Sequence, residues 1–430
     1  MSESLRVAVA GLGTVGAETV RLIQERGNAL GMQAGRNITV TAVSARDKSK
    51  DRGINLDGVA WEEDARALAA RDDVDVVCEM IGGSGGVAKE LVEASLKAGK
   101  HVVTANKALL ANHGTELARL SEEAGHSLAY EAAVAGGIPI IRALREGLVV
   151  NNVERVYGIL NGTCNYMMTA MRATGRDFDD ILKEAQDLGY AEADPSFDID
   201  GVDAAHKLAL LASLAFGTEV DFDNVHIEGI RSISAADIQY AEEFGFRIKL
   251  LGIAEQAGNG VRQRVHPCLI PLTTPISQVE DVFNAVALTG DPVGDSLFYG
   301  RGAGAGPTAS AVVGDVVDIA SGRSCPAFGV PASELVASKS APIEELECRY
   351  YVRLMVLDQP GVLADITAIM RDEAISMESM LQRGRDPLEL VPVALTTHEA
   401  SEAAMRRALA KIEALQAVRE APAMIRIVDF

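Results

Sequence analysis

Gly11-Leu12-Gly13-Thr14-Val15-Gly16 follows the short run Leu5–Ala10, apolar except for Arg6, and opens an amphipathic stretch reaching about Arg26. A Gly-x-Gly-x-x-Gly at a strand-to-helix junction leaves few folds open, because each glycine permits something a side chain would prevent. Gly11 allows a tight turn out of the strand, Gly13 lets the backbone approach a pyrophosphate, and Gly16 lets helix and strand pack closely. Phosphates would then sit on the helix N-terminus, beside Thr14 and Val15. Further β-branched runs at Ile38–Val43, Val74–Glu79 and His101–Thr104 alternate with helical patterns. That alternation predicts an α/β fold with a parallel, doubly wound sheet over residues 1–135.

Composition narrows the partners. Lysine plus arginine number 40 against 61 aspartate plus glutamate, a formal charge of −21, with no clustered basic stretch. Neither nucleic acid nor an anionic membrane surface is therefore the expected partner. At 48% hydrophobic and 23% charged, the 430-residue chain reads as several packed globular domains. No uncharged apolar run reaches the roughly 18–20 residues a spanning helix needs; Val156–Met171 is uncharged but broken by Gly158, Asn161, Gly162 and Asn165. Met1-Ser2-Glu3-Ser4 lacks the layout of a secretion signal. Cys78, Cys164, Cys268, Cys325 and Cys348 are scattered and never spaced C-x-x-C, which fits a reducing cytoplasm.

Beyond residue 135 the pattern changes. Strand-like Val153–Ile159, helices near Thr163–Arg172, Phe178–Leu188 and Val202–Ala215, and strand-like Ile248–Glu255 and Val261–Leu269 predict an α+β domain over 136–302. A helix at about 303–321 is expected to pack back on the first domain. Residues 322–347, with Pro326, Pro331 and Pro342, read as a linker. From 348 to 430 the order is strand (348–357), helix, strand (375–382), strand (388–396), helix, strand (418–428), a small ferredoxin-like unit.

Several residues suggest chemistry. An acid at the end of the second strand would bind the ribose 2′-hydroxyl of NAD. Here Val43 leads into Ser44-Ala45-Arg46-Asp47-Lys48, and Arg46 and Lys48 suit a 2′-phosphate, which favours NADP over NAD; a solvated charged loop is the other reading. Thr104-Ala105-Asn106-Lys107 ends the fourth strand at the ligand-binding edge of such a sheet. A lysine gains nothing from a helix N-terminus, so Lys107 reads as functional. Between Asp177 and Asp203 ten carboxylates accompany a single lysine, Lys183. A solvated helix face explains the first few, but Glu192, Asp198 and Asp203 flank turn-rich sequence leading into an apolar helix. Asp203 and Lys207 lie four apart on one face, where the acid can orient the ammonium and burial would suit the lysine to proton transfer. A surface ion pair explains the spacing equally well, and His206 points elsewhere.

With these motifs the chain resembles homoserine dehydrogenase in its monofunctional form with a C-terminal ACT domain. The likeness covers nearly the whole length and includes Glu131-Ala132-Ala133-Val134-Ala135-Gly136-Gly137-Ile138-Pro139, Gly158-Ile159-Leu160-Asn161-Gly162-Thr163, and Leu188-Gly189-Tyr190-Ala191-Glu192-Ala193-Asp194-Pro195 through Asp203 and Lys207. It implies a Rossmann-type domain, a catalytic and dimerisation domain, and NAD(P)-dependent interconversion of L-homoserine and L-aspartate 4-semialdehyde in threonine and methionine biosynthesis. It further implies Lys207 as proton donor and acceptor, and Lys107 near nicotinamide and substrate. Glu192 and Asp203 would hold the substrate ammonium, supported by Asp198, with Gly162, Thr163 and Tyr190 shaping the pocket. Gly189 and Gly304 would lie against the cofactor. A monovalent cation, usually sodium, would be held by Glu131, Val134, Gly136 and Ile138. The ACT unit, around Asp358–Leu363, implies threonine as an effector and a homodimer or homotetramer.

Two other functions fit parts of the pattern. An acylating semialdehyde dehydrogenase would use Cys164 as nucleophile, although no histidine lies nearby in sequence to activate it. A non-catalytic amino-acid sensor would leave Lys107, Glu192, Asp203 and Lys207 unexplained.

Overall fold

The computed structural model describes residues 4–258, 260–382 and 390–430. Its first sheet contains β1 (Leu5–Ala10), β2 (Ile38–Ser44), β3 (Ala60–Glu62), β4 (Val76–Glu79), β5 (His101–Thr104) and β6 (Leu128–Ala129). These strands pair in the order β3-β2-β1-β4-β5-β6, all parallel. The order reverses between β1 and β4, and the crevice at that switch is where dinucleotides bind in open α/β sheets. β3 and β6, absent from the sequence reading, are too short to show a period. α1 (Thr14–Ala34) runs past Arg26 and stops where Gly35 turns left-handed at φ 72°. α2 (Val87–Lys97) and α3 (Lys107–Glu123) follow β4 and β5.

The second sheet is longer than the sequence suggests. In spatial order it contains Gly294–Arg301, Phe283–Asp291, Asn152–Ile159, Phe246–Ala257, Gly260–Pro271, Ala423–Ile427, Glu347–Leu357, Leu390–Thr397 and Met377–Gln382. The hairpin Phe283–Arg301 and the helix Ala235–Glu243 add to the expected elements. Against this sheet lie α4 (Gly162–Thr174) and the apolar α5 (Val202–Phe216), whose Leu208, Leu210 and Leu211 are fully buried. α6 (Ala305–Ala320) returns to the first sheet, where Val312, Val316 and Ile319 share a core with Val7, Val9 and Ile23.

The C-terminal unit has the expected strand and helix order, and the sequence strand at 388–396 is observed as Leu390–Thr397, its first two residues lying outside the described ones. It is not separate, however. Its last strand pairs in parallel with Gly260–Pro271, Cys268 opposite Arg426 and Leu269 opposite Ile427. Because successive strand residues face opposite ways, Tyr350, Val352 and Leu354 form the unit's own core, while Tyr351, Ala394 and Ile425 join the main core. Across the junction Arg426 donates to Glu228 at 2.7 Å, and the Tyr351 hydroxyl and Arg353 donate to Asp237; within the unit Arg426 also donates to Glu402 at 2.6 Å. Residues 322–347 have little regular structure, but Phe328 is buried and packs on Tyr130, so this segment is part of the main core rather than a free linker. Among the described residues no helix is long and apolar enough to cross a membrane.

Candidate active site

The glycine turn after β1 is built as its spacing predicts. A Cβ on Gly16 would lie 1.8 Å from the Gly11 carbonyl oxygen, and one on Gly11, at φ 92°, would lie 2.6 Å from that of Met80. A Cβ on Gly13 would meet nothing within 4 Å. Two of the glycines are therefore required for packing, and the third faces open space at the start of α1, where no side chain caps the helix. Exposed N–H groups there suit a pyrophosphate, so the residues fit a dinucleotide. A cavity of about 870 Å³ extends from this turn past Arg46, Lys50, Arg52 and Arg66.

A second cavity, of about 570 Å³, lies between the first sheet and α5 and has Val15, Lys107, Gly136, Gly162, Thr163, Gly189, Tyr190, Asp198, Asp203, Lys207 and Gly304 in its wall. Lys107 stands at the first position of α3, behind the cap formed by Asn106, whose Oδ1 accepts from the Leu109 N–H at 3.0 Å. Asp203 and Lys207 occupy one face of α5, as their spacing requires. Lys207 Nζ donates to Asp203 Oδ2 and to the Leu160 carbonyl, both at 2.7 Å. Lys107 Nζ lies 3.1 Å from the other oxygen, Asp203 Oδ1. One buried carboxylate thus holds two ammonium groups from different helices.

Charge and burial compete at this carboxylate. Burial raises the Asp203 pKa, but the two lysines and the hydrogen bonds from Lys207 and Asn161 outweigh it and hold the carboxyl well below the usual range. Asp198 goes the other way, raised by burial and by the charge of Asp203, against a hydrogen bond from Asn161. Burial, then the charge of Lys107, lowers His206 to about 4, and its ring packs between Phe197 and Phe222 in a structural role. Cys164 is fully buried, its thiol donates to the Asp198 carbonyl at 3.3 Å, and burial with the charge of Asp198 raises its pKa well above normal. A thiolate nucleophile is disfavoured there.

Comparison with known proteins identifies the family. Residues 11–131 match the family described as homoserine dehydrogenase, NAD binding domain; residues 139–317 match homoserine dehydrogenase, and residues 350–414 the ACT domain. The homoserine dehydrogenase of Neisseria gonorrhoeae is 43% identical over 429 residues, covering 98% of each chain. The chain belongs to the homoserine dehydrogenase family. A crystal structure of the homoserine dehydrogenase from Thiobacillus denitrificans superposes with a TM-score of 0.93 at 44% identity, covering 99% of both chains. A hyperthermophilic archaeal homoserine dehydrogenase in complex with NADPH superposes with a TM-score of 0.63 at 25% identity, over 74% of this chain and 97% of that one.

Of the residues named from the sequence for cofactor, substrate and cation, Thr14, Gly16, Lys48, Thr104, Glu131, Val134, Ile138 and Glu192 are in the wall of neither cavity. Thr104 is buried, donates to Glu79 at 2.7 Å and accepts from the Asn106 N–H, so it fixes the strand end instead of lining the cavity. Lys48 is exposed, with its ammonium 5.9 Å from the Trp61 ring centre, while Lys50 and Arg52 line the cavity. The turn at Gly189, φ 75°, buries Ala191 and leaves Glu192 exposed. Glu131, Val134, Gly136 and Ile138 are all buried. The Glu131 carboxylate accepts from the main-chain N–H groups of Ile141 and Arg142, so this side chain is committed to the fold. Ala135 and Gly136 follow at φ 56° and 51°, a tight turn rich in main-chain oxygens. By donor chemistry the segment fits a hard monovalent cation through those oxygens.

Arg52, Asn161 and Asn284 are wall residues the sequence reading missed. Arg52 Nε donates to the Leu12 carbonyl at 3.0 Å, tying the loop after β2 to the glycine turn. Asn284 is buried with its Oδ1 unpartnered among the described residues. Only the glycine-bounded motif around Asn161 gave any local sign of these.

Proposed function

We propose that this homoserine dehydrogenase interconverts L-homoserine and L-aspartate 4-semialdehyde with NADP, with Lys207 as the general acid and base. The observation carrying this reading is that Lys207 and Lys107 meet on Asp203 at the cavity wall. When bound, the nicotinamide supplies or accepts the hydride. During reduction Lys207 gives a proton to the oxygen that the aldehyde carbonyl becomes; during oxidation it takes the hydroxyl proton. An ammonium has three N–H donors, and Leu160 and Asp203 use two, which leaves one for the substrate oxygen. Lys107 adds positive charge where the alkoxide develops. Asp203 Oδ2 already accepts from Lys207 and Asn161, so its remaining acceptor capacity lies on Oδ1, facing Lys107 and available to a substrate ammonium. Gly162, Thr163 and Tyr190 bound the pocket; the Thr163 hydroxyl donates to the Tyr190 carbonyl at 2.8 Å. Glu192 would join the ammonium site by a movement of its exposed turn.

The basic side chains around the adenosine-side cavity support NADP. Arg52 spends its guanidinium on the carbonyls of Leu12, Asp47 and Lys50, which leaves Arg46 and Lys50 to meet a 2′-phosphate. The NADPH complex of the archaeal relative supports the same choice. For sodium, the main-chain oxygens of residues 131–138 are the proposed ligands. A cavity of about 620 Å³ bounded by Asp358–Leu363 and Gln382 supports threonine as effector. The outer strand Gly294–Arg301, with Leu297 and Tyr299 exposed, is an open edge that supports assembly into a homodimer or homotetramer. Cytoplasmic location follows the reading of the five thiols, all unpaired.

Initial rates of L-homoserine oxidation with NADP and with NAD, each with and without threonine, test the proposal. Turnover with a higher kcat/KM for NADP and inhibition by threonine are expected. No turnover overturns the reaction, preference for NAD overturns the cofactor assignment, and indifference to threonine overturns the effector.

A further inference from the structure

Asn161 sits in the loop between the strand Asn152–Ile159 and α4, and its side chain is bonded at both ends. Its Oδ1 accepts from the Cys164 N–H at 2.8 Å, capping α4. That bond settles which way the amide faces, because only an oxygen can accept there. The NH2 group then points into the cavity wall and donates to Asp198 Oδ1 at 2.8 Å and to Asp203 Oδ2 at 2.9 Å. The preceding residue contributes as well, since the Leu160 carbonyl accepts from Lys207 Nζ. Consecutive residues therefore hold the two ends of the Asp203–Lys207 pair.

We propose that Asn161 is a positioning residue of the reaction, whose amide separates Asp198 from Asp203 and fixes Asp203 Oδ2 against Lys207. The inference rests on the reaction proposed above. Two carboxylates sharing a buried site repel, and one takes up a proton unless a donor stands between them. An asparagine amide supplies one hydrogen to each acid and adds no charge. The charged and titratable groups acting on the two acids it bonds are Lys207 and His206 from α5, Lys107 from α3 and Cys164 from α4, with Asp200 acting on Cys164. Burial already favours the protonated form of Asp198, and loss of the amide donor would favour it further.

The role can be separated from helix capping. Asn161→Ser and Asn161→Asp both keep an N-cap acceptor for the Cys164 N–H, because serine and aspartate cap about as well as asparagine. Serine removes the two donors without adding charge; aspartate removes them and adds a third carboxylate. The pH dependence of kcat/KM for L-homoserine is measured for the three proteins, with the dissociation constant for NADP as a check on folding. Expected is a fall of about tenfold or more in kcat/KM at neutral pH for Asn161→Ser. The acid limb should move upward from wild type to Asn161→Ser and further to Asn161→Asp, with NADP affinity unchanged. A shared acid limb and wild-type kcat/KM in either variant that binds NADP normally would overturn the positioning role and leave Asn161 a helix cap. Wild-type turnover in the same assay tests the reaction itself, so the two readings fail separately.

Discussion

Lys207 Nζ lies 2.7 Å from Asp203 Oδ2, one turn of α5 away, and both residues are buried. The pair is more than a helix-surface contact, because the second oxygen of the same carboxylate is 3.1 Å from Lys107 on α3. Replacing Asp203 by alanine would leave two cations together beside a buried wall. Breaking a buried pair in this way costs about 3–5 kcal/mol. Asp203→Ala should lower the unfolding free energy in urea by about that much and reduce kcat/KM by about 100-fold or more. A variant as stable and active as the wild type would show that the two lysines do not depend on this acid.

Among the described residues Arg46 lines the cavity without the main-chain commitments that occupy Arg52. A hydrogen bond to a charged group contributes about 1.5–3 kcal/mol, equivalent to about 10–100-fold in affinity. Arg46→Ala should raise KM for NADP by that factor and leave KM for NAD within about twofold, since NAD has no 2′-phosphate. An equal rise for both cofactors would place Arg46 at some other part of the dinucleotide.

Asp198 is the acid whose protonation should be visible in activity. Burial and the charge of Asp203 raise its pKa, so as pH falls it takes up a proton before an ordinary aspartate at about 3.9 would. The ionised form accepts from Asn161, and kcat/KM should therefore decline on the acid side above that value. Asp198→Asn removes this titration, and the acid limb should move to lower pH. An unmoved limb would assign it to another group.

Arg426, held within the C-terminal unit by Glu402, ties that unit to the catalytic domain through Glu228. Burial raises the Glu228 pKa, but hydrogen bonds from His226 and Arg426 outweigh it and hold this carboxyl well below the usual range. A lowered acid stabilises the fold above its unfolded pKa, about 4.3, and that contribution is lost as pH falls toward the folded value. Arg426→Met leaves Glu402 with Arg406 and the Tyr350 hydroxyl as partners and should cost about 1.5–3 kcal/mol in urea unfolding at neutral pH. It should also flatten the dependence of stability on pH below about 4.3. Unchanged unfolding would mean that sheet pairing and the contacts of Tyr351 and Arg353 with Asp237 join the two parts without it.

What the sequence makes legible here is local. Gly11, Gly13 and Gly16 can be read because the turn, the helix and their ligand lie within a few residues, and Asp203 with Lys207 because a helix brings every fourth residue round. The contact of Lys107 with Asp203 joins α3 to α5 and depends on how two sheets meet, which no local period records. Family resemblance, not spacing, singles out Lys207 for proton transfer, and the pair that spacing alone could place on the surface is buried. Thr104, Lys48 and Glu192 mark the other limit. A motif locates a loop, but the direction of each side chain within it depends on partners such as Glu79 and Trp61 that lie elsewhere in the chain. The junction at Arg426 was hidden for the same reason, since a βαββαβ pattern does not say whether an outer strand stays at the edge.

The proposed reaction depends above all on Lys207 moving the proton at the substrate oxygen. Initial rates of NADP reduction by L-homoserine, measured side by side for the wild type and Lys207→Ala, test it most directly. A kcat lower by about 100-fold or more in the variant, with NADP binding retained, is expected; a kcat near that of the wild type would mean that another group moves the proton.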